Sequence, residues 1–259
     1  MNDLIQLHNK SILIMGVANE RSLAWGVAKV LHQAGAKLAF TYRKERSYQK
    51  LSKLLEQEGM TDATVVCCDV NEDESIKHAF FTINQKIGAI DGIVHAIAFA
   101  HGEDLQNDFI ETTRSGYAFA QDTSAYSLIA VAREARPYLT SGASIVTMSA
   151  LGAERVLDGY KVMGVAKAAL ESTCKHLALD LGPNNIRVNA ISAGPIRTLA
   201  SQGVPTIKQM LKDTKEKAPL KRNVTQEEVG KATLMLLSPL SSGITGEVLH
   251  VDGGYNIMG

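Results

Sequence analysis

The chain has 259 residues, 45% of them hydrophobic, and its 27 basic side chains balance 27 acidic ones. A net charge of zero argues against nucleic acid as a partner, because gripping a phosphate backbone usually takes a basic surplus. Three cysteines, Cys67, Cys68 and Cys174, suit neither a disulfide framework nor a metal site and read as thiols of a reducing compartment. The polar start, Met1 to Ser11, lacks the apolar core of a secretory signal, and no run is long enough to span a bilayer. A cytoplasmic protein with no membrane partner is expected.

In chain order, short Val- and Ile-rich runs alternate with helical periodicity. Strand 11–16 is followed by helix 23–33, strand 37–42 by helix 44–57, and strand 63–68 by helix 73–86. Strand 92–98 precedes helix 124–138, strand 144–149 precedes helix 164–181, and strand 187–192 leads to helix 226–237 and a last strand at 247–251. Near-continuous apolar strands separated by helices indicate a parallel sheet buried on both faces. Right-handed crossovers then give an α/β fold with one doubly wound, Rossmann-type sheet, expected as a single domain over 1–259. The long connection at 198–219 departs from this rhythm and reads as either a surface excursion or a substrate lid. Within it Ile207, Met210 and Leu211 form an apolar stripe, with Lys208, Lys212 and Lys215 opposite, so a short amphipathic helix is expected.

The first strand runs into Gly16, then Ser22 and Leu23 at the start of a helix, a turn whose amides would face a pyrophosphate. The usual three-glycine fingerprint is missing, and Ser22 is placed both to cap the helix and to bind phosphate. After the second strand, Arg43 and Lys44 stand where a carboxylate would select NAD, which favours NADPH while leaving NADH possible. A solvated helix start is the plainer account of both cations. Asp69, followed by Val70, is placed either to accept from an adenine amino group or to form a turn.

Tyr160 and Lys167 lie seven residues apart, two turns on one helix face. A phenol beside an ammonium makes a plausible acid unit, in which the cation lowers the tyrosine pKa and reaches ribose hydroxyls. The pair alone is commonplace; the loop Gly194-Pro-Ile196-Arg-Thr198 after the next strand gives it context. Together with Gly16–Gly26, His95–Ala100, Leu151–Glu154 and Gly243–Gly254, these stretches resemble the short-chain dehydrogenase/reductase superfamily. More narrowly, they resemble its bacterial enoyl-acyl-carrier-protein reductases, over essentially the whole chain.

The resemblance implies reduction of trans-2-enoyl thioesters, linked to acyl carrier protein, by hydride from NADPH. Tyr160 would then hydrogen-bond the enolate oxygen, and Lys167 would fix the nicotinamide ribose. It also implies cofactor contacts at Gly16, Ser22, Leu23, Arg43, Asp69, Val70, Ile97, Lys167, Ile196 and Thr198. Substrate contacts fall on Ala100, Leu105, Tyr160, Met163 and Ala200, although Leu105 and Met163 are equally readable as core. The family places a second tyrosine ten residues before the first, where this chain has Ala150. Flanking hydroxyls at Thr147 and Ser149 leave carbonyl reduction as an alternative, and loss of turnover with retained NADPH binding as another.

His95, His101 and His250 show no legible carboxylate partner or metal-ligand spacing and read as structural. Ser149 has no nucleophile-elbow context. From Lys208 to Arg222, six bases against Asp213 and Glu216 form either a docking patch for an acidic carrier protein or solvated lid charge. The resemblance suggests a homotetramer, with the helix from Gly164 and the end at Ile257-Met258 as interface candidates.

Overall fold

Seven strands, all parallel, make one sheet in the order β3-β2-β1-β4-β5-β6-β7 in the computed structural model, which describes residue 5 and residues 7–258. Residues 1–4, 6 and 259, part of the expected domain and including much of its polar start, lie outside these. The strands are β1 (Ser11–Met15), β2 (Lys37–Tyr42), β3 (Thr64–Cys67), β4 (Ile90–His95), β5 (Leu139–Ser149), β6 (Arg187–Ala193) and β7 (Val248–Val251). The helices are α1 (Leu23–Gln33), α2 (Glu45–Gln57), α3 (Asp73–Ile87), α4 (Glu103–Gln106), α5 (Arg114–Gln121), α6 (Ser127–Ala135), α7 (Lys161–Leu181), α8 (Ile207–Lys217) and α9 (Gln226–Leu237).

Alternation along β1 shows why the sheet is wound on both sides. Leu13 and Met15 face a core shared with α3, α6 and α7, whereas Ile12 and Ile14 face α1, α2 and α9. All five β1 residues are buried. On the second side α1 and α9 cross closely, because Gly26 and Gly230 present no side chain: a Cβ on Gly26 would lie 2.4 Å from Gln226, and one on Gly230 2.7 Å from Val30. Strand order reverses between β1 and β4, so the carboxyl ends of these strands open a crevice, the usual ligand position in such sheets.

Five of the six helices expected with definite limits are found within a few residues of them, the fourth being the exception. The run expected as one helix over 124–138 is broken: a π-helical turn spans Asp122–Tyr126, α6 covers Ser127–Ala135, and a 3-10 turn covers Arg136–Tyr138. Two helices before it, α4 and α5, went unpredicted. Residues 207–217 form the expected amphipathic helix, with Lys208, Lys212 and Lys215 exposed and Ile207, Met210 and Leu211 half-buried.

At the amino-terminal edge of the sheet, Arg187 is buried with its guanidinium on the carbonyls of Leu236 and Ser238 and the hydroxyl of Ser241. These carbonyls terminate α9, where the helix dipole favours a cation. Among the described residues no helix is long and apolar enough to cross a membrane, and no group of His, Cys, Asp and Glu is arranged to hold a metal.

Candidate active site

Gly16 follows β1 with φ +100°, and a Cβ there would lie 2.1 Å from the carbonyl oxygen of Ala96. Only glycine brings the two chain ends this close. Ser22 is the N-cap residue of α1 by position but not by bonding. Its Oγ accepts from the amides of Ala18, at 3.0 Å, and Asn19, at 3.1 Å, and makes no cap bond to the helix. The hydroxyl therefore shapes the turn, and the first amides of α1 carry no side-chain cap.

Arg43 and Lys44 are both exposed, at the end of β2 and the start of α2. The Nε of Arg43 stands 4.0 Å from Asp69 Oδ2, while Asp69 Oδ1 accepts from the Asn71 amide at 3.1 Å. Asp69 thus forms a turn, one of its two expected roles. Val70 is buried, and Ile97 and Ile196 are half-buried. Thr198 is buried, and its Oγ1 accepts from the Ser201 amide at 2.9 Å.

Tyr160 immediately precedes α7, with its ring over Gly152: a Cβ on that glycine would sit 2.2 Å from the Tyr160 Cδ1. Burial, then the negative charge of Glu171, pushes the phenol's pKa up. This reverses the expected lowering by Lys167. The ammonium of Lys167 is spent on the Met148 carbonyl, to which it donates at 2.6 Å, and burial brings its own pKa down to about 8. The phenol accordingly holds its proton across the neutral range.

Both hydroxyls near Ala150 are committed elsewhere. Ser149 donates to Glu171 Oε1 at 2.5 Å, and Thr147 Oγ1 bonds the ring of His95 at 3.1 Å. Neither is free to polarise a substrate carbonyl. His95 is fully buried, with Nε2 on Ser127 Oγ at 3.0 Å and its pKa lowered to about 3 by burial, so it is the neutral structural histidine expected. His101 stacks on Phe119 at 4.6 Å. His250 departs from expectation, since its Nε2 lies 2.7 Å from Glu154 Oε1, a carboxylate ninety-six residues away.

Leu105, Ala120, Val162, Met163 and Ala166 form a small apolar cluster apart from the two main cores, with Ala98, Ala100 and Tyr160 packed against it. Four of the five expected substrate residues thus converge. Ala200 is exposed and stands outside this cluster, although the neighbouring Gly203 approaches Leu105. Lys161 was not anticipated. It takes φ +43° and donates from Nζ to the carbonyls of Gln106, at 3.0 Å, and Asn107, tying the segment that carries Leu105 to the start of α7.

A profile of the family described as enoyl-(acyl carrier protein) reductase matches residues 16–256. The Staphylococcus aureus enoyl-acyl-carrier-protein reductase, named as the NADPH type, is 56% identical over 253 residues, covering 98% of this chain and 99% of its own. The Bacillus cereus enzyme, named as the NADH type, is 51% identical over the same shares. A crystal structure of the Bacillus cereus reductase with NADP+ and an indole naphthyridinone matches with a TM-score of 0.95 at 51% identity, covering 98% of each chain. The Aquifex aeolicus reductase gives 0.94 at 44% identity, again over 98% of each. With its parallel sheet, its Tyr160–Lys167 pair and these full-length likenesses, the chain belongs to the NAD(P)H-dependent enoyl-acyl-carrier-protein reductases of the short-chain dehydrogenase/reductase superfamily.

Proposed function

We propose that this chain reduces the 2,3 double bond of trans-2-enoyl groups on acyl carrier protein, with NADPH preferred, as a cytoplasmic homotetramer. The observation that carries the reaction is the neutral Tyr160 phenol at the edge of the apolar cluster of Leu105, Met163 and Ala100. There it donates a hydrogen bond to the thioester oxygen as negative charge develops on it. The residues fit a dinucleotide: Gly16, at φ +100°, turns the chain away from β1 toward α1, the first amides of α1 lack a side-chain cap, and Arg43 and Lys44 offer cations for an extra phosphate. When bound, the cofactor supplies the hydride. In this reading Ser22 orders the phosphate turn, Leu23, Asp69, Val70, Ile97, Ile196 and Thr198 line the cofactor, Lys167 holds its ribose, and Ala200 borders the acyl chain.

Purified protein should oxidise NADPH when given crotonyl thioester. Faster oxidation with acetoacetyl thioester would overturn the reading in favour of carbonyl reduction, which the engaged Ser149 and Thr147 hydroxyls disfavour. Ala150 is half-buried in extended backbone at the end of β5. If Tyr160 suffices as donor, A150Y changes kcat by less than about tenfold, whereas gaining a missing oxyanion donor would raise it by about 10²–10³. Measured kcat for the two proteins decides between these.

Residues 198–219 act as the lid, and α8 presents Lys208, Lys212 and Lys215 to solvent for an acidic carrier. Reversing all three to Glu should raise KM for carrier-linked substrate by about tenfold or more while leaving KM for a small thioester unchanged. An equal rise for both substrates would reject the docking role. For assembly, α7 exposes Val165 and Leu179, and the carboxyl end exposes Ile257 and Met258, apolar surface that further copies of the chain would cover.

A further inference from the structure

Adding hydride and a proton across a double bond consumes one proton per turnover, and the donor phenol belongs to a half-buried residue. The proton lost from Tyr160 must be replaced from solvent. Behind the Tyr160–Lys167 pair lies a line of polar groups that the reaction as described leaves without a role. Glu171 is one helical turn beyond Lys167 on the same face of α7 and is only 9% exposed. The two side chains grip successive residues of β5, Lys167 the carbonyl of Met148 and Glu171 the hydroxyl of Ser149.

The line continues across the sheet. Ser149, Ser192 and His250 are register partners on β5, β6 and β7, so their side chains stand in a row on the face that α7 covers. Ser192 is 1% exposed, and its Oγ has no hydrogen-bond partner in the protein, an orphan that a water would satisfy. At the outer end of the row His250 meets the exposed Glu154. A hydroxyl without a partner thus lies in register between Ser149, which holds the buried Glu171, and the half-exposed His250, where a water would bridge them. A purely structural clamp would need the Ser149–Glu171 bond but not the rest of the row.

We infer that Glu171 is the inner station of a proton relay, which runs from the His250–Glu154 pair at the surface past Ser192 and Ser149 to Lys167 and Tyr160. In each turnover Tyr160 gives its proton to the enolate, and the phenolate takes one from the Lys167 ammonium. Lys167 is reprotonated across a water through Glu171, whose carboxylate takes up each proton from solvent by way of the outer pair and passes it on. The balance is one proton in from solvent and one proton out in product. The groups facing Glu171 are Ser149 on β5, Glu154 beyond it, His250 on β7, Tyr160 before α7, and Lys167, Cys174 and Lys175 on α7. Burial, the largest influence on Glu171, raises its pKa, while the hydrogen bond from Ser149 works the other way.

The substitution E171Q keeps an acceptor for Ser149 but carries no transferable proton. We expect kcat with crotonyl thioester and NADPH to fall about tenfold or more, within the range of acid–base contributions. KM, the NADPH Kd measured by fluorescence and the melting temperature should stay near those of the parent, while the solvent deuterium isotope effect on kcat grows. In the parent without cofactor, the infrared band of a protonated carboxyl should titrate above the ordinary glutamate range and vanish in E171Q. If E171Q does not fold, H250Q tests the outer end, with a shift in the pH profile of kcat expected at unchanged KM. An unaltered kcat and isotope effect in folded E171Q, or an unaltered pH profile in H250Q, overturns the relay. Because both variants are compared with an active parent, their failure leaves the assignment as an enoyl reductase standing.

Discussion

Replacing Gly152 with alanine should cut kcat by about a hundredfold without unfolding the protein, since displacing a reacting group by roughly an ångström costs on that order. Gly152 lies in the turn after β5, and a Cβ there meets the Tyr160 ring at 2.2 and 2.6 Å. The contact falls near the root of the ring and not at the far end of a flexible chain, so the phenol must move. It has little room to do so. A Cβ on Gly164, one turn into α7, would lie 2.8 Å from the Gly152 carbonyl, so the turn and the helix are already in close contact. NADPH affinity should fall less than kcat, because the added Cβ meets the Tyr160 ring and not the turn at Gly16. Alanine at Gly182, which meets nothing within 4 Å, is the matched control and should be silent. The comparison needs kcat and a cofactor titration for each variant, and a G152A kcat within threefold of the parent would refute the argument.

Alanine at Gly16 should act at the other end of the site and on two observables together. The added Cβ would overlap the Ala96 carbonyl at 2.1 Å, and φ +100° is unfavourable for any residue with a side chain. The neighbouring backbone cannot simply withdraw, since the Ala96 amide donates to the Met15 carbonyl at 3.2 Å where β4 joins β1. Strain and overlap together cost about 2 kcal/mol or more. In a chain of this size that lowers Tm by about 4–8 °C. Any relief must distort the phosphate turn, so NADPH affinity should fall by about tenfold or more, on the tenfold-per-1.4 kcal/mol scale. Scanning calorimetry and a fluorescence titration check both; a lowered Tm with intact NADPH affinity would show that the turn does not hold the cofactor.

How far the sequence foretold these features follows from the range over which each is encoded. The sheet and its flanking helices were legible because burial on both faces imposes a local pattern, as in the continuous apolar run of β1. The segment 103–126 was not. Its helices are short, α5 begins with a Thr113 cap but buries only Gly116 and Ala120, and the π turn shifts the periodicity before α6 begins. The Tyr160–Lys167 pair proposed for catalysis is legible from helical spacing, and the same spacing puts Glu171, a carboxylate four residues beyond Lys167, on that face. The partnership of His250 and Glu154 had no such local signal, because it is made by register across the sheet. Ser22 was placed correctly while its bonding was not, since its hydroxyl turns back into the loop.

Lys161 shows how two demands can meet at one position. Its φ of +43° would be relaxed by glycine or tolerated by asparagine, yet neither reaches the carbonyls of Gln106 and Asn107. A residue long enough to make that clasp must accept a backbone cost of about 1–3 kcal/mol. For anyone redesigning this enzyme the position is therefore narrow. Substitutions that ease the helix start release the segment that carries Leu105, and those that keep the clasp leave the helix start under load.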